Sequence, residues 1–262
     1  MFDSIFKEYS IDYVIHTAAI RGAGKAAYIE YQSVNVYATK ILLEFACRYN
    51  VNRFLYCSSV GVWGTIPKIV PPDDRTEYID DNFYHKSKIE AEKIVYKYCR
   101  EKELDAVIVR PTISYGRGDN GFPAMFLKLV KKRMFVMPRR EVFIHLVSVE
   151  KVAELFVALI TKNQLYQNLF LSLDKRPISL KNLADEIYNY YYGKTYPKYL
   201  SFPDFFFSLA IALCRLIKND KWTTRLRLIS NNWYYAPIGP EKDLSFQQAE
   251  TEVAFKMYLK SQ

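Results

Sequence analysis

The chain has 262 residues, half of them hydrophobic, which is enough for one large α/β domain with a small appendage. Its formal charge is +9, but the lysines and arginines are scattered, with short clusters at 131–133 and 139–140. Such a surface favours anionic small molecules and argues against a nucleic-acid partner. The four cysteines lack Cys-x-x-Cys spacing, which argues against a disulfide framework or a zinc site and indicates buried thiols in a cytoplasmic protein.

Three short apolar runs predict the strands of a parallel sheet. They lie at 12–19, 52–59 and 105–112. Nearly continuous apolar strands indicate that both sheet faces are covered, and the helical segments 28–49 and 83–102 are long enough to cross between parallel strands. The pattern predicts an α/β fold with a Rossmann-like, doubly wound parallel sheet.

Beyond residue 120 the helices and strands alternate less regularly. Helices are expected at about 122–132 and 149–162 and after Ser179, and strands at 142–147 and 168–173. We therefore expect three parts: a partial Rossmann-like domain with the catalytic residues (1–120), a mixed remainder of the core with part of the substrate region (121–195), and a small C-terminal substrate-covering region (196–262).

The segment 202–218 is almost uncharged between Phe205 and Cys214 and is followed by a basic stretch that contains Trp222. It is too short to span a bilayer, which takes about twenty apolar residues. Two interpretations remain: a helix buried in the substrate-covering region, which we favour, and a helix in weak contact with a membrane surface.

Ligands of doubly wound sheets bind beyond the carboxyl ends of the strands. Small or hydroxyl-bearing residues occupy those ends here, namely Thr17, Ala18 and Ala19 after the first strand, Ser58 and Ser59 after the second, and Pro111 and Thr112 after the third. This edge is therefore the predicted binding site.

A Tyr-x-x-x-Lys spacing occurs three times, at 84/88, 98/102 and 190/194. Only the first pair lies at the start of a crossover helix, directly after the loop from a strand that ends in serine. Its position favours Tyr84 and Lys88 as a catalytic pair.

Residues four apart share a helix face, so the ammonium of Lys88 is expected to lower the pKa of the Tyr84 phenol. A phenol with a lowered pKa is a usable general base, and Ser59 would hydrogen-bond the same substrate hydroxyl. On the pattern alone, an ordinary first-turn tyrosine and a solvated lysine remain an equal alternative.

The stretch 116–121 matches G-x-G-x-x-G and has Glu141 twenty residues later. Five residues separate its first glycine from the preceding strand, so no tight turn would present helix amides to a pyrophosphate. We interpret it as a substrate-side loop.

The runs DYVIHTAA, NRFLYCSSVGVWG, YHKSKIEAEK, VIVRPTISYGRGD and IHLVSVEKVAEL occur in an order and spacing that resemble the extended short-chain dehydrogenase/reductase family, which includes NAD-dependent epimerases and dehydratases. The resemblance covers about residues 1–162. It implies NAD or NADP as cofactor, a small-molecule substrate and a homodimer. The implied catalytic residues are Ser59, Tyr84 and Lys88; the cofactor-binding residues are Thr17, Ala18, Ala19, Arg21, Tyr84, Lys88 and Pro111; the substrate-binding residues are Ser59, Val60, Arg139 and Arg140.

Three functions follow from this resemblance. The first is hydride transfer at a secondary alcohol, most simply of a nucleotide sugar. The second is a 3β-hydroxysteroid or dihydroflavonol type of dehydrogenase acting on a hydrophobic alcohol, because Ile113 and Ile144 stand where sugar-nucleotide members carry Asn and Arg. The third is a cofactor-free remnant, because the family's Gly-rich strand–turn–helix would precede Asp12; the sheet is then N-terminally incomplete and exposes an edge strand.

Overall fold

The computed structural model describes residues 2–22, 26–73, 75–238, 244 and 246–261. The strands of this part are β1 (Tyr13–His16), β2 (Arg53–Cys57), β3 (Ala106–Pro111), β4 (Ile113–Tyr115), β5 (Met137–Pro138), β6 (Phe143–Ile144), β7 (Leu146–Ser148), β8 (Leu169–Ser172), β9 (Ile178–Ser179) and β10 (Ser201–Phe202). The α-helices are α1 (Phe2–Glu8), α2 (Tyr28–Tyr31), α3 (Ala38–Arg48), α4 (Phe83–Lys102), α5 (Phe122–Lys131), α6 (Val149–Thr161), α7 (Leu180–Tyr192), α8 (Asp204–Leu216), α9 (Asp220–Ser230) and α10 (Thr251–Lys260).

A four-stranded parallel sheet in the order β1-β2-β3-β8 forms the centre of the fold. Strands β2 and β3 are buried almost throughout because helices cover both faces. Strand β1 lies at one edge, with Tyr13 and Ile15 each 43% exposed. The prediction of a doubly wound, Rossmann-like α/β sheet is confirmed.

Alternating side chains of the central strands belong to two separate cores. One core joins Phe54, Tyr56 and Ile108 to residues of α3 and α4, which include Leu43 and Val95. The other core joins the intervening residues of the same strands to α6, and comprises Leu55, Val107, Val109, Leu155, Phe156, Leu159, Phe170 and Leu244. Each such side chain contributes about 1.5–3 kcal/mol of burial free energy, so the sheet is held from both faces.

Two predicted elements and the predicted burial of the cysteines differ in detail. The helix expected over 28–49 contains a π-helical segment, Gln32–Tyr37, between α2 and α3. The strand expected over 142–147 is divided at His145, because β6 pairs antiparallel with β9 whereas β7 pairs parallel with β4. The cysteines are half-buried free thiols and not fully buried.

The segment 202–218 does not form the buried helix that we favoured. Helix α8 exposes nearly its whole length, and Phe207 is its one buried residue. Within the described ranges no helix is both long and apolar enough to cross a bilayer.

Candidate active site

Local capping places the candidate catalytic side chains. Asn82 is the N-cap of α4 and accepts a hydrogen bond from the backbone N–H of His85 at 2.9 Å, so Tyr84 lies in the first turn and Lys88 one turn further. Ser59 follows β2 and accepts a hydrogen bond from the Gly61 N–H at 3.0 Å, which caps a short 3-10 helix. The start of α4 and the end of β2 thus meet at the carboxyl edge of the sheet.

The structure brings Ser59, Tyr84 and Lys88 together. The half-buried Tyr84 phenol lies close enough to Ser59 for the serine side chain to lower the pKa of the phenol. The Nζ atom of Lys88, which is 3% exposed, donates to the Cys57 carbonyl at 2.7 Å and lies 4.8 Å from the centre of the Tyr56 ring. The buried ammonium is therefore fixed at the last residue of β2, two residues before Ser59.

The expected lowering of the Tyr84 pKa by Lys88 is wrong for this structure. Burial raises the pKa of the Tyr84 phenol to about 12, and the charge of Cys57 adds to the rise, while the hydrogen bond with Ser59 and the charge of Arg21 oppose it. The Lys88 ammonium is directed at the Cys57 carbonyl, and burial lowers its own pKa. The phenol is consequently protonated at neutral pH.

The residues assigned to the cofactor extend along the same edge. Thr17 and Ala18 are exposed after β1, and Ala19 is half-buried. Arg21 donates to Oδ1 of Asn120 at 3.1 Å, so the 116–121 loop lies beside the end of β1.

The glycine pattern of that loop is not a phosphate-binding turn. Asp119 accepts hydrogen bonds from the N–H groups of Gly121 and Ala124, at 2.7 and 2.8 Å. Its carboxylate therefore occupies the amides that a pyrophosphate would need.

Unpaired hydroxyl groups line the ends of three central strands. The side-chain oxygens of Ser58, Thr112 and Ser172 are buried without a hydrogen-bond partner among the described residues. Such groups are ordinarily satisfied by water or a ligand. Together with the buried ammonium of Lys88, they fit a polyhydroxylated ligand such as a ribose, which accepts from a cation and exchanges hydrogen bonds with hydroxyls.

The other predicted residues have partners elsewhere in the described structure. Val60 is buried in the core, and Pro111 pairs with Ser172 across β3 and β8. The Nε atom of Arg140 lies 2.6 Å from Asp204 Oδ2, and its guanidinium also donates to the Ser230 carbonyl.

Arg139 donates to the Ser201 carbonyl at 3.5 Å and is exposed. In the part of the chain that the structure covers, neither Arg139 nor Arg140 contacts Ser59, Tyr84 or Lys88. Both arginines instead join the β5 region to the C-terminal segment.

Asn35 is a site residue that the sequence analysis missed. Its side chain accepts from the Ile20 N–H at 2.8 Å, donates to the Ile20 carbonyl at 3.0 Å, and donates to Ser87 Oγ at 2.9 Å. It thereby ties the loop after β1 to α4 between Tyr84 and Lys88. A signal was present, because Asn35 stands between Tyr31 and Thr39 on a buried helical stripe where an apolar residue would be ordinary.

Replacing Asn35 with Ala is expected to lower the free energy of unfolding by about 1–3 kcal/mol, because the partly buried N–H and C=O groups of Ile20 lose their partner. Urea denaturation measures the change, and exposed Asn163→Ala is the matched control. Equal stability of the two variants would contradict the role of Asn35.

A second missed group, Asp81 and His85, flanks Tyr84. His85 Nδ1 lies 2.6 Å from Asp81 Oδ1, and the imidazole packs on Gly61, where a Cβ atom would come within 2.5 Å of the ring. A side chain at position 61 would therefore force the His85 ring to move, and the pair packs the turn after Ser59 against α4.

Asp81 also contacts Arg227 on α9. Burial opposes its ionisation, but hydrogen bonds from His85 and Thr65 lower the pKa of Asp81 to about 2. The NH1 atom of Arg227 lies 3.4 Å from Asp81 Oδ2. A partly exposed guanidinium on α9 is thus placed beside the Tyr84 turn; no motif in the sequence indicated it.

A model of the NAD dependent epimerase/dehydratase family matches residues 2–168. UDP-glucose 4-epimerase of Vibrio cholerae is 29% identical over 164 residues, which are 60% of this chain and 49% of that protein. The 3-beta-hydroxysteroid dehydrogenase of Mycolicibacterium neoaurum is 34% identical over 127 residues, 45% of this chain and 34% of that protein. The chain thus spans about half or less of the length of these curated relatives.

The UDP-glucuronic acid 4-epimerase of Bacillus cereus, solved in complex with UDP-glucuronic acid and NAD, is 15% identical with a TM-score of 0.68; the alignment covers 98% of this chain and 77% of that one. At this identity the likeness shows the fold. The sheet order, the clustered Ser59, Tyr84 and Lys88, and the family match over most of the chain lead to one conclusion. The chain belongs to the NAD dependent epimerase/dehydratase family.

Proposed function

We propose that the chain carries the proton-transfer site of an NAD- or NADP-dependent oxidoreductase that acts on a secondary alcohol of a nucleotide sugar. The observation that carries this proposal is the position of the Tyr84 phenol next to Ser59, with the buried Lys88 ammonium on the Cys57 carbonyl, at the carboxyl edge of a parallel sheet. The similarity to UDP-glucose 4-epimerase supports the substrate class.

In this proposal Ser59 orients the substrate hydroxyl. The Tyr84 phenol takes up or gives back the proton of that hydroxyl. When bound, the nicotinamide cofactor supplies the acceptor of the hydride that leaves the same carbon. Thr17, Ala18, Ala19 and Arg21 would border the cofactor at the end of β1, and Lys88 would donate a hydrogen bond to its ribose. Because the pKa of free Tyr84 is about 12, the phenol is set to donate a proton; its use as a base requires that ligands lower this pKa.

Arg227 is the cation that we assign to an anionic substrate group. Its ion pair with Asp81 is long, at 3.4 Å, whereas Arg140 is paired with Asp204 at 2.6 Å and the side chain of Ile144 is apolar and fully buried. A guanidinium suits a diphosphate because it donates two parallel hydrogen bonds.

Replacing Arg227 with Met is therefore expected to raise KM for a UDP-sugar by about 10- to 100-fold, as for the loss of one charge-assisted contact, with kcat little changed. Steady-state kinetics measure the split, and Arg225→Met on the same helix is the control, since that side chain stacks on Trp222. An unchanged KM in the Arg227→Met variant would contradict the assignment of Arg227 to the anionic substrate group.

A dehydrogenase of hydrophobic alcohols is the second candidate. It is favoured by the 34% identity to the 3-beta-hydroxysteroid dehydrogenase and by the apolar side chains of Ile113 and Ile144. In this case Arg227 has no substrate group to bind, and the Arg227→Met variant keeps its KM.

One experiment separates the candidates. The purified chain is incubated with NAD or NADP and either a UDP-hexose or a 3β-hydroxysteroid, and the products are separated by chromatography. The first proposal predicts that the UDP-hexose is converted to a product with an altered sugar and that the steroid is unchanged. Turnover of the steroid alone would overturn it in favour of the second candidate, and turnover of neither would overturn both.

A further inference from the structure

Helix α8 has two apolar faces. Its inner face carries the buried Phe207 and the half-buried Ile211. Its outer face is a stripe at i, i+4, i+8 and i+11 whose members point the same way around the helix: Phe205, Leu209, Leu213 and Leu216, which are 61, 55, 54 and 79% exposed. We call these four residues the α8 stripe.

Large apolar side chains in a contiguous exposed patch indicate a binding surface, whereas scattered ones need no explanation. The α8 stripe is contiguous, and exposed Phe206 and Ile217 extend it on one side. A helix that is apolar on both faces would ordinarily be buried. The surface is therefore suited to an apolar partner outside the described fold.

Basic and aromatic groups border the stripe. Arg215, Lys218 and Lys221 are exposed at the turn between α8 and α9. Trp222, in the first turn of α9, is 52% exposed, and the Arg225 guanidinium lies 5.2 Å from its ring centre. At the other end of α8, Asp204 is neutralised by its ion pair with Arg140.

We propose that the α8–α9 hairpin lies on an anionic lipid surface, with the α8 stripe inserted among the acyl chains and the cations at the headgroups. Apolar residues on one side, basic residues at the rim and an exposed tryptophan are the combination that binds interfaces of this kind. Lysine and arginine stems can lie along the apolar layer while their charges reach the phosphates.

The length of α8 favours a helix that lies on the bilayer surface over one that crosses the bilayer. The uncharged stretch of α8 runs from Phe205 to Cys214, about half the length a spanning helix needs. The proposal rests on α8 and α9 alone and is independent of the catalytic assignment.

Co-sedimentation with vesicles tests the proposal. The chain is expected to pellet with vesicles of equal parts phosphatidylcholine and phosphatidylglycerol, to release as salt rises, and to stay in solution with phosphatidylcholine alone. The double variant Leu209→Glu/Leu213→Glu should lose at least about tenfold in vesicle affinity, since it removes two inserted side chains and adds repulsion.

Val157→Glu/Met257→Glu is the matched control, because both residues are as exposed, lie on other helices and add the same charge. Circular dichroism checks that both variants fold. Equal vesicle binding by the two double variants would overturn the proposal.

Analytical ultracentrifugation tests the competing occupant, a second copy of the chain. If the wild type fails to bind the anionic vesicles and forms a dimer that the Leu209→Glu/Leu213→Glu variant alone loses, the stripe is an interface between copies. That result would also overturn the proposal.

Discussion

Replacing Glu92 with Gln is expected to lower the free energy of unfolding by about 3–5 kcal/mol, as for a buried ion pair that loses one partner. Glu92 on α4 accepts from Arg110 on β3 through both carboxylate oxygens, at 2.9 and 2.6 Å, and from the Tyr78 hydroxyl at 2.8 Å. Both charged side chains are almost completely buried, at 0 and 3% exposure. The variant would leave the Arg110 guanidinium buried without its carboxylate.

Glu101→Gln on the same helix is the control for this measurement by urea denaturation. Its ion pair with Lys97 is 3.8 Å long and exposed, so its loss should cost at most about 1 kcal/mol. A double variant with methionine at 92 and 110 should recover much of the lost stability, because it removes both buried charges. If Glu92→Gln costs no more than Glu101→Gln, the buried pair does not anchor α4.

Replacing Tyr84 with Phe is expected to lower kcat by about 10²- to 10⁴-fold, the range for loss of a positioned acid or base. The ring and its packing remain, so folding should be unchanged while the proton-transferring hydroxyl is gone. The measurement is kcat in the assay that identifies the substrate.

Tyr98→Phe is the matched control, because Tyr98 also precedes a lysine by four residues. Its hydroxyl lies 3.3 Å from Glu44 on α3, away from Ser59 and Lys88. We expect full activity from Tyr98→Phe and a large loss of activity from Tyr84→Phe. Comparable activity in both variants would show that Tyr84 does not transfer the proton.

Both experiments concern residues on one face of α4. Tyr84, Lys88 and Glu92 are spaced four apart, so the ion pair of Glu92 with Arg110 fixes the face that presents the other two. A loss of stability at Glu92 should therefore also loosen the position of the Tyr84 phenol.

The sequence predicted the elements whose signals are local. Helix α4 begins and ends where its pattern indicated, since Asn82 caps it and Glu103 ends it in the left-handed conformation. Buried β2 and β3 were visible as apolar runs. The clustering of Ser59 with Tyr84 followed from the rule that parallel strands end at one edge.

Long-range features were not predictable in the same way. The raised pKa of Tyr84 depends on burial and on the direction of the Lys88 ammonium, neither of which a spacing of four specifies. Arg227 reaches the site only because α9 folds back beside Asp81, across 146 residues of sequence.

Helix α8 was misjudged for a related reason. Its apolar composition is compatible both with burial and with a bilayer surface, and only the arrangement of the rest of the chain decides which side chains find partners. Phe207 is buried, whereas Leu209 and Leu213 are more than half exposed.

Titration of the chain with NADH or NADPH, followed by nicotinamide fluorescence, shows whether this site binds a nicotinamide cofactor. We expect a saturable change with one of them, and we expect Lys88→Met to weaken it, because the buried ammonium is assigned to the ribose. The absence of a saturable change with both cofactors would overturn the proposed function and indicate a cofactor-free protein.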